Sequence, residues 1–221
     1  GLGDVYKRQV YQGTKFTDNW YIGWNAGGVT PTTHSAFFKD MRFTTGLEFG
    51  KQVTPILGLS FEAMTSINRT ASSTAFDGAR LMALGKFNLN NWFAGYRGEP
   101  RLFEVEAVGG IGWGIDVMNR GYCDWDYCYM ASKFGLNFNF NLGESKAWTL
   151  SVKPSLVYRM DGHRAYLLNV NKSSVELLAG VTYHFRNSNG KHYMTLANVC
   201  DPAEMDALNA KVNELRREAQ E

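Results

Sequence analysis

The chain has 221 residues, a net charge of +2 and a pI of about 8.4. This is enough for one domain with an appendage, and too near neutral to call for nucleic acid or another polyelectrolyte partner. Aromatic residues make up 14% and there are 23 glycines, which favours strands and turns over helices. No run of about 18 apolar residues occurs, so a membrane-crossing helix is excluded, but a barrel strand needs only about 10 alternating residues.

The opening "GLGDVYKRQ" has no apolar segment of a secretory signal and does not begin with Met. It reads as the edge of an incomplete or wrongly joined reading frame, and residues 1–18 are expected to be irregular.

From Asn19 to Phe185 the same alternation recurs eight times: Asn19–Val29, Met41–Val53, Ile56–Ile67, Arg80–Asn91, Leu102–Asp116, Cys128–Leu142, Trp148–Arg159 and Ser174–Phe185. In the first run Trp20, Ile22, Trp24 and Ala26 share one face, with Gly23, Asn25 and Gly27 opposite. In the last, Val175, Leu177, Ala179, Val181, Tyr183 and Phe185 oppose Glu176, Leu178, Gly180, Thr182 and His184. Arg80–Asn91 is the least clean, with Met82 and Leu84 beside Lys86 on the polar side. A period of two over such lengths means strands. The connections "VTP" and "GESKA" are short, whereas those after runs one, three, five and seven are long and polar. "NWFAGYRGEP", after run four, breaks the rule by being long.

Short turns on one side and long loops on the other predict an all-β, eight-stranded antiparallel up-and-down barrel over 19–185. Residue size decides which face is inside. The polar face is also the small face, and a barrel of eight strands is narrow inside. The large aromatics therefore belong outside, against lipid. Trp20, Phe49, Trp92, Phe103, Trp148, Tyr183 and Phe185 gather at the turn side, as an interfacial girdle requires.

The inward face then carries Arg42, Lys86, Lys133 and Lys153 with Glu48, Glu62, Glu104, Glu106 and Glu176. Paired, these form a structural plug; left open, they would line a gated ion path. Both readings stand at the level of sequence. His34 and His163 fall in long loops, as do Asp124 and Asp126, with Asp116 at a loop's start. No spacing among them makes a triad or a metal site, so neither catalysis nor a cofactor is expected. Cys123 and Cys128 lie in one loop, where a disulfide is expected outside the inner membrane. Cys200 is left over.

After a flexible linker over 186–200, residues 201–221 read as an amphipathic helix. Asp201 serves as N-cap, Pro202 stands at N1 and Glu204 at N3. Met205, Leu208, Val212 and Leu215 fall at a/d spacing. A linker helix is the leading expectation and a weak dimer through this stripe the lesser one, because two heptads are marginal alone.

The barrel grammar together with "DPAEMDALNAKVNELR" resembles the outer membrane protein A (OmpA) family, over the barrel and the start of its periplasmic linker. Gly180-x-x-Tyr183-x-Phe185 likewise resembles the last-strand signal read by the outer-membrane insertion machinery. The resemblance implies an outer-membrane location with both termini in the periplasm. It also implies contact with lipid and with the insertion machinery, and a structural role anchoring a tether to the cell wall. In the family, peptidoglycan is held by a globular domain after the linker. That domain is absent from this chain, so wall contact is expected only through it, and the helix is expected to be truncated. The alternatives are a narrow pore, or a surface adhesin or receptor acting through Trp125, Tyr127 and Tyr166 of the long loops.

Overall fold

The computed structural model describes residues 11–33, 38, 41–67, 76–116, 128–160, 170–197, 210–212 and 216–217. Alternating sequence becomes eight strands of 11 to 15 residues: β2 (Trp20–Pro31), β3 (Arg42–Gln52), β4 (Leu57–Ile67), β5 (Phe76–Asn88), β6 (Phe103–Asp116), β7 (Cys128–Leu142), β8 (Trp148–Arg159) and β9 (Ser173–His184). Each pairs antiparallel with its neighbour in sequence, and β2 pairs with β9 to close the barrel. The seam runs from Tyr21 opposite His184 to Pro31 opposite Ser174. Closure leaves no barrel strand with an open edge, which a lipid-facing sheet requires. The β7–β8 ladder is interrupted only between Gly135 and Phe138. This gap lies opposite Pro154, which has no N–H to donate.

The barrel is inside-out relative to a water-soluble protein. On its outer surface Leu59, Phe61, Trp113 and Phe134 are 60–63% exposed, while Glu48, Glu62 and Glu176 are at most 1% exposed within. The interior is nevertheless not polar throughout. Met82 and Leu84 of β5, Val108 of β6, Ala131 of β7 and Val157 of β8 form a buried apolar wall. Opposite β5, the inward glycines of β6 leave no room for side chains. A Cβ at Gly110 or Gly112 would fall about 2 Å from the carbonyl oxygen of Ala83 or Leu81.

The fourth run departs from expectation at both ends. β5 begins at Phe76, earlier than Arg80, and stops at Asn88, because that side chain caps a short helix, α1 (Leu89–Ala94). The Asn88 Oδ1 accepts from the Asn91 amide at 2.9 Å, and the buried Asn91 donates from Nδ2 to the Pro55 carbonyl at 2.8 Å. Arg101 closes the segment, donating to Asn91 Oδ1 at 2.5 Å and to the Gly95 carbonyl at 2.7 Å. The long "turn" is thus a packed unit beside the short-turn end of the barrel.

Both ends of the barrel chain leave at that same end. Residues 186–197, expected to be a flexible linker, instead fold back across the mouth. Gly190, at φ +78°, turns the chain, and β10 (Thr195–Leu196) pairs antiparallel with β1 (Tyr11–Gln12) of the N-terminal segment. Of the tail helix, residues 210–212 and 216–217 are helical among the described residues.

Candidate functional site

Inward positions on six strands meet in one ion network. Glu48 of β3 takes Lys86 of β5 on Oε1 and Lys153 of β8 on Oε2, the latter at 2.7 Å. Lys133 of β7 bridges Glu62 of β4 at 2.7 Å and Glu176 of β9 at 2.6 Å. Arg80 of β5 closes on the other oxygen of Glu176. Asn25 of β2 joins the layer, accepting from Lys153 Nζ at 2.9 Å and donating to Glu48 Oε2 at 3.3 Å. Tyr21 donates to Glu48 Oε1 at 3.4 Å, and the Lys86 ammonium lies 4.8 Å from the centre of its ring. Four cations and three carboxylates therefore share one desolvated layer. Each charge has an opposite partner, the arrangement under which burial of ions is tolerated.

Small residues make this layer fit. A Cβ on Gly180 would fall 2.4 Å from Asn25 Oδ1 and 3.1 Å from Lys153 Cε. At Gly50 it would strike the Tyr21 phenol at 2.3 Å. The bulky inward groups lie over strand positions that carry no side chain.

Two cavities flank the network. Below it, toward the short turns, a polar chamber of about 100 Å³ is lined by Tyr21, Lys86, Glu104, Glu106, Lys153 and His184 among others. Above it a cleft of about 60 Å³ is lined by Arg42, Thr44, Tyr129, Arg80 and Glu176.

The nine charges read as inward therefore divide. Glu48, Glu62, Lys86, Lys133, Lys153 and Glu176 meet in the network. Glu104 and Glu106 lie in the lower chamber and are held by amides. Glu104 accepts from the Arg101 N–H and from Asn141 Nδ2, both at 3.2 Å, and Glu106 accepts from Asn137 Nδ2 at 3.4 Å. Arg42 is not buried with the rest. It is exposed at the first position of β3, where the strand reaches the long-loop rim. Sequence reading missed Arg80, although it shares the parity of Met82, Leu84 and Lys86; its place at the edge of the expected run hid it. It also missed Asn25 as an ion partner, because an inward amide has no distinctive spacing.

Of the last-strand positions, Tyr183 and Phe185 belong to a band of contacting rings at the short-turn end. Trp148 lies against Tyr183 at 4.8 Å and Tyr183 against Phe185 at 5.6 Å; Trp20 stacks on Phe49 at 4.9 Å. Lys51 points outward in this band, 5.3 Å from the Trp20 ring, and donates to the Phe16 carbonyl at 2.7 Å. Cys128 is an exposed free thiol at the start of β7. Its expected partner Cys123 lies outside the described residues, as do His34, Asp124, Trp125, Asp126, Tyr127, His163, Tyr166 and Cys200. Among the described residues no three His, Cys, Asp or Glu side chains are placed to hold a metal.

No protein-family model and no curated protein matches the sequence. Solved structures do match. Neisserial surface protein A aligns with 80% of this chain and all of its own, at 14% identity and a TM-score of 0.55. The fold is that of a small outer-membrane barrel. The N-terminal barrel domain of OprF from Pseudomonas aeruginosa aligns with 74% of this chain and 96% of its own, at 11% identity and a TM-score of 0.46. Ail, the attachment invasion locus protein of Yersinia pestis, covers 74% of this chain and 95% of its own, at 10% identity and a TM-score of 0.40. In a barrel of this kind the apolar outer band meets lipid, and the ion network lies in the lumen.

Proposed function

We propose that the protein resides in the outer membrane with both termini in the periplasm, as the embedded anchor of a tether to the cell wall. The observation that carries this reading is the common exit of both chain ends at the short-turn mouth, beneath a lumen filled by paired ions. A barrel filled in this way serves to hold a position in lipid. The resemblance of the tail to the OmpA-family linker supports the same role. The wall would be gripped by a domain beyond the tail, and the anchor itself performs no chemistry and takes no cofactor. Its partners are lipid, the insertion machinery and, through that domain, peptidoglycan.

The test is sedimentation of the cell wall from gently opened envelopes of cells expressing the native gene. The barrel should pellet with the wall and be released by cleavage after Ala197. Barrel that never pellets would remove the tether and leave the loops to carry the function.

The pore reading is the rival with a structural handle, since cavities lie on both sides of the network. Purified barrel in planar bilayers should pass little or no current, because the layer between the cavities is closed by direct ion pairs. Steady, large unitary currents would favour the pore.

A further inference from the structure

The tail does more than leave the barrel. His192, Tyr193 and Met194 form part of the wall of the lower chamber, and Met194 is only 4% exposed. The Tyr96 hydroxyl donates to the Met194 carbonyl at 2.6 Å, and His192 Nδ1 lies 2.6 Å from the His184 carbonyl. At the other edge Asn187 and Asn19 exchange two hydrogen bonds. Asn19 N–H donates to Asn187 Oδ1 at 2.7 Å, and Asn187 Nδ2 donates to Asn19 Oδ1 at 2.5 Å. Ser188 donates to Asp18 from its amide at 2.8 Å and from its hydroxyl at 2.6 Å. The positive φ of Asn19, +63°, turns the chain from this latch into β2.

These contacts are far fewer than those of a barrel seam. β10 pairs with β1 over two residues, whereas β2 pairs with β9 over eleven. A two-stranded pair of that length has little stability of its own, and such segments open at a small fraction of the global free energy. The pairing also sets the direction of release. Leu196, opposite Tyr11, is the last paired residue of the tail. A pull on whatever follows breaks that pair first and Thr195 opposite Gln12 next, one after the other.

We propose that residues 186–197 are a detachable lid over part of the lower chamber, and that displacing the tail widens its access to water and small polar solutes. The ion network remains closed above it, so the opened lumen is a blind compartment. This proposal does not depend on whether the tail reaches the wall.

The test uses two thiol reporters in chains whose native cysteines are replaced by serine. Ser151→Cys reports on the lower chamber, which Ser151 lines, and Thr44→Cys reports on the upper cleft. Each is treated in lipid vesicles with a small charged thiosulfonate, with and without the paired changes Asn187→Ala and Tyr96→Phe. Loosening the lid should speed modification at position 151 by about tenfold or more and leave position 44 unchanged, as expected for a local opening. No change at 151, or equal acceleration at both positions, overturns the proposal. If the double variant does not insert, hydrogen exchange on the unaltered chain decides. The amides of Asn187, Ser188, Gly190 and Lys191 should exchange together, about a hundredfold faster than strand amides. Exchange as slow as that of the strands overturns it.

Discussion

Glu48 and Glu62 are direct register partners on β3 and β4, both turned inward and both 1% exposed. Like charges directly opposite on a sheet repel. The lumen resolves the conflict from its far side. Lys153 and Lys86 take Glu48, and Lys133 takes Glu62. Two adjacent strands are therefore held in register by groups carried on β5, β7 and β8.

Lys133→Met should be severe. It strips Glu62 of its ion pair and Glu176 of one of two, and an uncompensated buried charge costs about 3–5 kcal/mol. The double variant Lys133→Met, Glu62→Gln should recover part of the loss. Urea unfolding in lipid vesicles measures both. A single variant as stable as the parent would mean that the pairs do not hold the lumen.

On the outside the rule reverses. Leu177, 38% exposed, faces lipid beside Glu176, which is fully buried. Leu177→Arg should cost about 2–4 kcal/mol near the bilayer midplane. Glu176 carries Lys133 on one oxygen and Arg80 on the other, so Glu176→Gln would take a charged partner from both cations. Both variants should therefore destabilise, for opposite reasons. Equal tolerance of arginine at 177 and leucine at 177 in vesicle folding would invert the assignment of faces.

Gly180 belongs both to the last-strand pattern and to the lumen. Gly180→Ala pushes a methyl against Asn25 and Lys153, an overpacking expected to cost about 1–3 kcal/mol. Asn25→Gly in the same chain should relieve part of this. If the second change gives no relief while insertion rates alone fall, the glycine serves recognition by the insertion machinery rather than packing.

The latch at Asp18 predicts a dependence on acid. Burial raises the affinity of this carboxyl for a proton, but the hydrogen bonds from the Ser188 hydroxyl and amide and from the Lys15 amide, with the Lys15 charge, outweigh it. The pKa lies below the ordinary carboxylate value. A depressed pKa adds stability that is present above the unfolded value and is lost as pH falls through the folded one. The protection of amides in 186–197, taken as exchange relative to the intrinsic rate at each pH, should therefore fall only below about pH 4, and Asp18→Asn should remove that step. A loss of protection between pH 6 and 8 would contradict the assignment.

Much of this was legible in the chain. Period-two runs marked every barrel strand to within a few residues, and side-chain size on the two faces told inside from outside. Parity placed Glu48, Glu62, Lys86, Lys133, Lys153 and Glu176 inward. Which cation meets which carboxylate was not legible, because it depends on the stagger between strands far apart in sequence. Helix α1 escaped notice because its signal is a lone asparagine cap on one and a half turns. The lid escaped because the stretch 186–197 has no hydrophobic period and reads as linker composition, while its Asn187 and Ser188 bond Asn19 and Asp18, 168 and 170 residues away in the chain. Arg42 was misplaced for a simpler reason: parity assigns a face, but at a strand's first residue that face is already the rim.

The seam between β2 and β9 has a consequence for assembly. Every other barrel pairing joins strands that follow one another along the chain, so seven ladders can form as hairpins while the polypeptide is delivered. The eighth joins Tyr21 to His184 and must wait until β9 arrives. Until then β2 presents a full row of unpaired N–H and C=O groups, the template on which strands of other chains aggregate. Pairing at such sequence separation is the slowest kind to form. The rate of productive folding is therefore governed by how long the first strand's edge is protected, and a helper that covers β2 should raise yield more than one that stabilises any hairpin.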